Sequence, residues 1–354
     1  MNKSFKIPFK GRGHSYSQEE IDLVSEIMRD SDTLTQGNYL KLFEQKYKDF
    51  LGVDYTFAMS SATSALEIAA QLLCLSDKDE VIIPSHTYTS TAYPFVKKGG
   101  KVVWADIDFE SRVVNAETIK RKITNKTKAV VVVHLYGYLA DMPEIMQLCA
   151  DNNLVLIEDC AQSLGTSLDG KRAGTFGDMS IFSHHSQKNI STLGEGGVLV
   201  VKNPEYAQIV PMLRHNGHSA YEDQEHYWKP AMSNIDFPKL NGIYIEPNNY
   251  CLGEPQCAVG SMIIDRVDEV NSLKRSRAIQ FIDGLAEFEQ LTFHRVDNER
   301  HNYQHLVAFV QNGKRDQFIN KLSLDKGIQC VVQYYPLHRY RYYEKHGLGA
   351  ADCP

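Results

Sequence analysis

Ile157-Glu-Asp-Cys-Ala-Gln-Ser163 is the most informative stretch of this chain, because it places polar residues directly after an apolar run. The residues just before it and at its start, 154–157, are all apolar, which is typical of a buried strand. Asp159 therefore follows closely on a predicted strand, at its carboxyl end. In sheets of parallel strands, ligands bind at that edge. The stretch thus predicts a carboxylate aimed at the edge of a sheet where a ligand binds.

On both sides of this stretch, residues 55–201 alternate short apolar runs with helical stretches. Strands that alternate with helices form a mostly parallel sheet covered on both faces, so the pattern predicts an α/β fold. The predicted strands are 55–59, 80–83, 101–104, 129–134, 154–157, 179–182 and 197–201, and the predicted helices are 64–73, 87–96 and 142–150.

The pattern changes after Pro247, where a smaller α+β unit is predicted. An amphipathic run over 254–285 indicates one long helix. A shorter helix is predicted over 315–324. The strands predicted beside these helices are 291–295, 305–310 and 329–334.

This change of pattern divides the chain into two predicted domains. The large domain comprises residues 1–247, including an N-terminal segment 1–50, and the smaller C-terminal domain comprises residues 248–354. The segment 218–247 has no clear period and is rich in turn-forming residues. A loop of that length often covers a site, so we expect it near one.

Composition and charge exclude several classes of function. The 354 residues carry a formal net charge of −6 with scattered basic residues, which argues against nucleic acid as a partner. The chain has neither an apolar stretch of about eighteen residues nor a signal-peptide pattern, so we expect a cytoplasmic protein and no membrane partner. The seven cysteines include no CxxC pair, and no disulfide framework or metal site is predicted.

Lys188 supplies a second charge near the predicted edge. It follows the predicted strand that ends at Phe182 and precedes the glycine-rich Gly194-Glu-Gly-Gly197. A lysine amine can form a Schiff base with an aldehyde, and a carboxylate such as Asp159 can keep a pyridine nitrogen protonated. Either residue alone is common without any ligand, because loop lysines are usually solvated and an Asp after a strand often caps a helix. Together they match the needs of pyridoxal phosphate.

A phosphate cradle is predicted in Met59-Ser-Ser-Ala-Thr-Ser-Ala-Leu66, which reads as a strand, a turn of small residues and a helix start. The backbone N–H groups of Ala62 and Thr63, with the Thr63 hydroxyl, would face an anion at the positive end of that helix. Such a run also caps helices that bind no phosphate. Ser183 could add a hydroxyl from the Lys188 side.

These stretches carry a family resemblance that extends from Leu34-Thr-Gln-Gly37 to Tyr335-Pro-Leu-His338. The chain resembles the DegT/StrS-type sugar aminotransferases, which implies the type I fold of the pyridoxal-phosphate-dependent transferases, that of the aspartate aminotransferase group. The motifs that carry the resemblance are Ser-Ala-Thr-Ser-Ala-Leu, Ile-Pro-Ser-His-Thr-Tyr, Val-His-Leu-Tyr-Gly, Ile-Glu-Asp-Cys-Ala-Gln-Ser-Leu-Gly, Gly-Thr-Phe-Gly-Asp, Phe-Ser-His-His-Ser-Gln-Lys-Asn and Gly-Glu-Gly-Gly.

The resemblance implies roles for the residues around the cofactor. Lys188 matches the Schiff-base lysine and Asp159 the partner of the pyridine nitrogen. Gln162 would lie near the ring hydroxyl, and Tyr88 would stack on the ring face. The residues that match the phosphate cradle are Ala62, Thr63 and Ser183.

The resemblance also implies a homodimer whose active sites are shared between subunits. Asn249 matches an asparagine that reaches the phosphate of the neighbouring subunit. His185 matches a histidine of the family pattern and is a candidate substrate residue. His338 is a second candidate, because the matching segment of the family approaches the site.

Three features depart from the family pattern. Cys251 stands where an arginine that could meet substrate anions is common, and His184 replaces an aromatic residue. The chain ends at Ala351-Asp-Cys-Pro354, where similar proteins continue with a last helix. The C-terminal domain is therefore expected to be short compared with that of the family.

The expected activity is a pyridoxal-phosphate-dependent transfer of an amino group from L-glutamate to a keto sugar, linked to a nucleotide, for the biosynthesis of amino sugars in glycans or antibiotics. Lys188 would also act as the base that moves a proton between substrate and cofactor.

Three alternatives remain open. A smaller phosphorylated ketone could be the acceptor, given Cys251. A sugar 3-dehydratase of the same family has a histidine in place of the lysine; Lys188 argues against it, although His184 and His185 lie close by. A non-catalytic sensor could keep the fold and the cofactor without turnover. It would have little reason to keep the set Asp159, Gln162, Lys188 and Thr63.

Overall fold

The computed structural model describes residues 5–219, 234–235 and 237–353. The strands are β1 Thr56–Met59, β2 Glu80–Pro84, β3 Lys101–Ala105, β4 Thr127–Val133, β5 Val155–Asp159, β6 Ser167–Leu168, β7 Lys171–Arg172, β8 Met179–Ser183, β9 Gly197–Val201, β10 His218–Ser219, β11 Asn234–Ile235, β12 Lys239–Leu240, β13 Ile243–Tyr244, β14 Leu291–Phe293 and β15 Ala308–Val310.

The helices alternate with the strands of the central sheet, as the sequence predicts. Short 3₁₀ turns lie at Thr89–Thr91, Leu135–Gly137, Ile264–Arg266 and Leu337–Arg339. The α-helices are α1 Gln18–Asp30, α2 Asn38–Leu51, α3 Ala62–Leu72, α4 Tyr93–Lys97, α5 Ala116–Lys120, α6 Met142–Asp151, α7 Pro204–Arg214, α8 Glu254–Ile263, α9 Val267–Asp283, α10 Arg315–Asp325 and α11 Arg341–Lys345.

The central sheet has the strand order β1-β9-β8-β5-β4-β2-β3. Strand β9 runs antiparallel to both of its neighbours, and the other neighbouring pairs are parallel. The prediction of a mostly parallel sheet is therefore confirmed. The carboxyl ends of β1, β2, β5 and β8 meet at one edge, and that edge is where polar side chains collect.

Helices cover both faces of this sheet, as predicted. Along β4 the side chains alternate between two cores, with Val130 and Val132 in one and Ala129 and Val131 in the other. Helices α2, α6 and α8 supply the first core, whereas α3, α4, α7 and α11 supply the second. Burial on both faces explains why the strands read as continuous apolar runs rather than as alternating ones.

The C-terminal third differs from the prediction in two places. The single helix predicted over 254–285 is interrupted by the 3₁₀ turn at Ile264–Arg266. The prediction of a strand over 329–334 is wrong, because these residues lie in irregular backbone. The N–H of Gln329 donates to the carbonyl of Ile7, but the pairing with that segment is limited to a single bridge between Ile7 and Ile328.

The remaining C-terminal elements form a lightly packed unit. Strands β14 and β15 pair as a hairpin, and every side chain of α10 stays at least partly exposed. A small separate core holds Ala278, Ile282 and Tyr303. The division into domains 1–247 and 248–354 stays a prediction.

The segment predicted as an irregular loop, 218–247, is described in part. Its described residues form two short antiparallel pairs, β10 with β11 and β12 with β13. The remainder of the predicted loop, residues 220–233 and 236, lies outside the described residues. No helix of the described residues is long and apolar enough to span a bilayer.

Candidate active site

A cavity of about 280 Å³ lies at the carboxyl edge of the sheet. It brings together residues that are far apart in the sequence, at the ends of β1, β2, β5 and β8. The predicted site residues that line it are Ala62, Thr63, Tyr88, Asp159, Gln162, Ser183, His185 and Lys188. Asn249 and His338 are not among the described residues of its lining.

Asp159 is the last residue of β5, and its side chain is only 4% exposed. The Thr91 hydroxyl donates to its Oδ2 across 2.8 Å, and the Ala161 N–H donates to its Oδ1 across 3.0 Å. Burial raises the pKa of Asp159, while these hydrogen bonds and the charge of Lys188 act in the opposite direction. These donors therefore stabilise the ionised carboxylate at a buried position, where water cannot solvate it.

Lys188 faces the same cavity. Burial lowers the pKa of its amine to about 8, although the nearby Asp159 carboxylate raises it. A lysine with such a pKa is a neutral amine far more often near pH 7 than an ordinary lysine is. The neutral amine is the form that attacks an aldehyde, so the cavity activates Lys188 as a nucleophile.

The backbone around Lys188 is held by Gln304. Its Oε1 accepts from the N–H of Asn189 across 3.0 Å, and its Nε2 donates to the carbonyl of Gln187 across 2.7 Å. One buried carboxamide thus bonds to both neighbours of Lys188. Lys274 adds a donor from α9, with its Nζ 2.6 Å from Oδ1 of Asn189. The sequence analysis missed Gln304, because no local pattern connects it with residues more than a hundred positions earlier.

The N-terminal segment lies against the same loop, which the sequence also did not reveal. The N–H of Gly13 donates to the carbonyl of Ser186 across 2.7 Å. A Cβ atom added at Gly13 would lie 1.9 Å from the carbonyl oxygen of Lys188. Only a residue without a side chain can approach the lysine loop so closely.

The predicted phosphate cradle forms the first turn of α3. Ser61 caps this helix by accepting from the N–H of Ser64, so Ala62 and Thr63 are its first residues, where N–H groups have no carbonyl partner within the helix. Gly197 packs against this turn: an added Cβ would lie 2.4 Å from the nitrogen of Ala62. The Thr63 hydroxyl donates to Ser90 across 3.0 Å.

Aromatic residues wall the cavity opposite this turn. The amide of Gln162 is engaged at both ends: its Oε1 accepts from the N–H of Tyr136 across 2.6 Å, and its Nε2 donates to the Tyr334 hydroxyl across 3.0 Å. Tyr88 is 57% exposed, with its ring centre 6.1 Å from that of Tyr334. The exposed ring leaves a face available to a flat ligand.

The two histidines before Lys188 have different surroundings. His184 is buried against Tyr47, whose hydroxyl lies 3.1 Å from its Nε2, and burial lowers its pKa to about 3. It is not among the described residues that line the cavity. His185 does line it, with its Nε2 3.8 Å from Glu195. Of the pair, only His185 is in a position to meet a substrate.

Two further predicted residues lie apart from the cavity. Asn249 is exposed and forms a single bridge with His215. His338 is buried in the 3₁₀ turn at Leu337–Arg339. Neither can contact a ligand in the cavity of its own chain without a change of conformation.

His134, Glu158 and Cys160 place ligand atoms within 4.8 Å of one another behind the site. Glu158 already accepts from His134 Nε2 (3.0 Å) and from three backbone N–H groups, those of Gly174, Phe176 and Gly177. Nδ1 of His134 accepts from the N–H of Ala140, so Nε2 carries the proton. These contacts describe a structural hydrogen-bond network rather than an open set of metal ligands.

The cavity has the chemistry that pyridoxal phosphate requires. The first turn of α3 offers N–H donors to a phosphate, Asp159 offers a buried negative charge to a ring nitrogen, and Lys188 offers an amine to an aldehyde. The exposed face of Tyr88 suits an aromatic ring. These groups fit the cofactor that the sequence predicts.

Comparisons with known proteins agree with this chemistry. GDP-perosamine synthase of Vibrio cholerae is 32% identical over 314 residues, which cover 88% of this chain and 80% of that protein. The X-ray structure of the aminotransferase from Psychrobacter cryohalolentis matches with a TM-score of 0.85 at 26% identity, covering 97% of this chain and 89% of that one. A putative sugar aminotransferase from Streptococcus pneumoniae, solved in its PLP form, has the same fold with a TM-score of 0.82 at 23% identity, over 96% and 88% of the two chains.

The profile of one family spans almost the whole chain. Residues 14–354 match the DegT/DnrJ/EryC1/StrS aminotransferase family. The match includes every residue of the cavity described above. The chain therefore belongs to the DegT/DnrJ/EryC1/StrS aminotransferase family and is an aminotransferase that depends on pyridoxal phosphate.

Proposed function

We propose that this enzyme transfers the amino group of L-glutamate to a keto sugar linked to a nucleotide, in the biosynthesis of amino sugars. The observation that carries the proposal is the pairing of Lys188, whose amine has a pKa of about 8, with the buried Asp159 in one cavity. The acceptor class is supported by the similar GDP-perosamine synthase, whose name identifies a nucleotide-linked amino sugar as its product.

Each residue of the cavity has a role that follows from its position. Pyridoxal phosphate supplies an electron sink when it is bound. Asp159 would place a negative charge beside the ring nitrogen, and Ala62, Thr63 and Ser183 would hold the phosphate. Lys188 would form the covalent link to the cofactor, and its Nζ would move the proton at the reacting carbon.

The proposal includes a homodimer with shared active sites in the cytoplasm. Asn249 is exposed and lies away from the cavity of its own chain. This placement supports an assignment to the phosphate of the neighbouring subunit. Oligomeric interfaces of this kind are symmetric, so each subunit would complete the site of the other.

The alternatives are less well supported. A dehydratase would need a histidine in the role of Lys188, but His184 is buried against Tyr47 and Lys188 itself lines the cavity. A sensor without turnover would have little reason to keep Asp159, Gln162, Lys188 and Thr63 together in one cavity. An assay with both kinds of acceptor distinguishes a smaller phosphorylated ketone from a nucleotide-linked sugar.

The test is a two-step transfer followed by mass spectrometry. The protein is loaded with pyridoxal phosphate, treated with L-glutamate, L-glutamine or L-aspartate, and freed of the donor. It is then offered keto sugars linked to GDP, UDP or dTDP, and dihydroxyacetone phosphate as the small ketone. We expect an amino product from L-glutamate and at least one nucleotide-linked sugar.

The control is Lys188→Ala, which should give no product. Borohydride reduction of the loaded parental protein should place the pyridoxyl group on the peptide that contains Lys188. A product from dihydroxyacetone phosphate alone, loss of water without gain of nitrogen, or a pyridoxyl group elsewhere would contradict the proposal.

A further inference from the structure

Arg112 is a partly buried cation, and no described residue places a counter-charge in contact with it. Six of the described arginines are partly or fully buried: Arg112, Arg172, Arg214, Arg266, Arg275 and Arg300. Among the described residues, Arg112 alone of these has no hydrogen bond or ion pair from its guanidinium. The other five bond to a carboxylate or to backbone carbonyls. Burying a cation is costly unless a partner compensates for the lost water.

None of the described residues that line the cavity beside Arg112 carries a negative charge. It lines a narrow cavity with Tyr136, His294, His301 and His305. Burial lowers the pKa values of His301 and His305 to about 3 and about 4, so both rings are neutral near pH 7. Neutral imidazoles can donate hydrogen bonds to an anion without adding charge.

Asp108 and Glu110 precede Arg112 on the same turn, and no described contact pairs either carboxylate with its guanidinium. Oδ1 of Asp108 accepts from the N–H and the hydroxyl of Ser111, each across 2.8 Å. The turn itself forces Arg112 into a left-handed conformation with φ of 60°, which costs energy for a residue with a Cβ. The fold therefore maintains both a strained backbone and an uncompensated charge at this position.

The position of Arg112 connects it with the active site. It follows β3, whose carboxyl end belongs to the same sheet edge as Asp159. The Tyr136 ring of its cavity stacks on Tyr334 at 6.3 Å with an interplanar angle of 6°, and Tyr334 lines the cavity of Lys188. A substrate that reaches Lys188 and extends past this pair of rings would approach the guanidinium.

We propose that Arg112 binds an oxyanion of the substrate, either a phosphate of the nucleotide-linked acceptor or a carboxylate of the amino donor. The cavity beside it has a volume of only about 10 Å³, so it can admit oxygen atoms but not a sugar or base ring. A guanidinium forms paired hydrogen bonds with both kinds of oxyanion. The inference rests on the proposed function for the identity of the two substrates.

The experiment compares Arg112→Gln and Arg112→Lys with the parental holoenzyme. The matched control is Arg121→Gln, because Arg121 is an exposed arginine nearby that pairs with Glu117. Isothermal titration measures the binding of GDP, UDP, dTDP and glutarate, and stopped-flow absorbance measures the half-reaction with L-glutamate. Thermal unfolding of each variant shows that it is folded.

We expect Arg112→Gln to weaken one class of probe about tenfold or more, the range for a charge-assisted hydrogen bond, with partial rescue by Arg112→Lys. Loss confined to the nucleoside diphosphates assigns the oxyanion to the acceptor. Loss confined to glutarate and to the L-glutamate half-reaction assigns it to the donor. Equal binding by Arg112→Gln and the parent, a loss matched by Arg121→Gln, or no binding of any probe to the parent overturns the inference. Failure of the proposed function is distinct, since it appears as a parental enzyme that makes no amino sugar.

Discussion

Thr91 donates its hydroxyl hydrogen to Oδ2 of Asp159 across 2.8 Å, and both side chains are buried. This bond lowers the pKa of the carboxyl against the larger effect of burial, which raises it. Thr91→Val keeps the shape but removes the donor, so less of Asp159 should be ionised. We expect amino transfer to slow about tenfold, the effect of one hydrogen bond to a charged group. Thr89→Val is the control, because the hydroxyl of Thr89 bonds to Tyr343 instead. Equal rates for both variants would show that this bond does not matter.

The charge of Asp159 should be visible in the titration of Lys188. The parental amine has a pKa of about 8, raised by Asp159 from the lower value that burial alone would give. Asp159→Asn removes the negative charge and should shift the midpoint below 8. The measurement is the pH dependence of Lys188 acetylation in cofactor-free protein, followed by peptide mass spectrometry. The same variant should bind pyridoxal phosphate but react with L-glutamate far more slowly. A midpoint that stays in place or rises would exclude the coupling.

Gly13 should tolerate no side chain. A Cβ at this position would meet the carbonyl oxygen of Lys188 at 1.9 Å, whereas a Cβ at Gly11 would meet nothing within 4 Å. Relief of the contact must shift the lysine loop or detach the N-terminal segment from it, at a cost of about 1–3 kcal/mol. Gly13→Ala should therefore weaken binding of pyridoxal phosphate in an absorbance titration, and Gly11→Ala should not. If the two variants bind alike, the N-terminal segment does not support the loop.

Glu158 should stabilise the fold in a pH-dependent way. Burial raises its pKa, but hydrogen bonds from His134 and backbone N–H groups prevail and hold the pKa below the ordinary value. A carboxyl of this kind contributes stability above its unfolded pKa of about 4, and the contribution is lost as pH falls through the folded pKa. Glu158→Gln should lower the free energy of unfolding by roughly 3 kcal/mol at pH 7.

Urea unfolding at several pH values tests this expectation, with the exposed Glu117→Gln as the control. The gap between the parental protein and Glu158→Gln should shrink in acid below pH of about 4. A gap that is constant with pH would mean that Glu158 contributes through packing and not through its charge.

Substitution of Asn249 tests whether each active site is shared between two subunits. Lys188→Ala should abolish activity, and Asn249→Ala should weaken activity most clearly at limiting cofactor. In a mixed dimer of the two variants, one site collects both substitutions and the other receives an intact residue from each chain. Co-expression with two tags allows the mixed dimer to be isolated. Its working site should bind pyridoxal phosphate with the parental affinity. Retention of the weakened affinity would show that Asn249 serves the lysine of its own chain.

The strands and the two central charges could be predicted from local sequence. The apolar run 154–157, followed closely by Asp159, specifies both a buried strand and a carboxylate at its end, since both properties depend on neighbours in the chain. The same holds for the small residues from Ser61 to Ser64, which cap α3 where the cradle was expected. The strand prediction failed at 329–334, because a strand needs a pairing partner and the described residues pair with this segment only through the bridge between Ile7 and Ile328.

The sequence by itself therefore determined the α/β sheet, the family and the pairing of Lys188 with Asp159. Only the tertiary structure decided what surrounds them: Thr91 on the carboxylate, and Gln304 and Gly13 on the lysine loop. It also left Arg112, in a separate cavity, without an ionic partner among the described residues. It also decided that His184 faces a buried tyrosine while His185 faces the cavity. These relations join residues whose separation in the chain carries no periodic signal, because a hydrogen bond or a steric contact depends on distance in space and not on position in sequence.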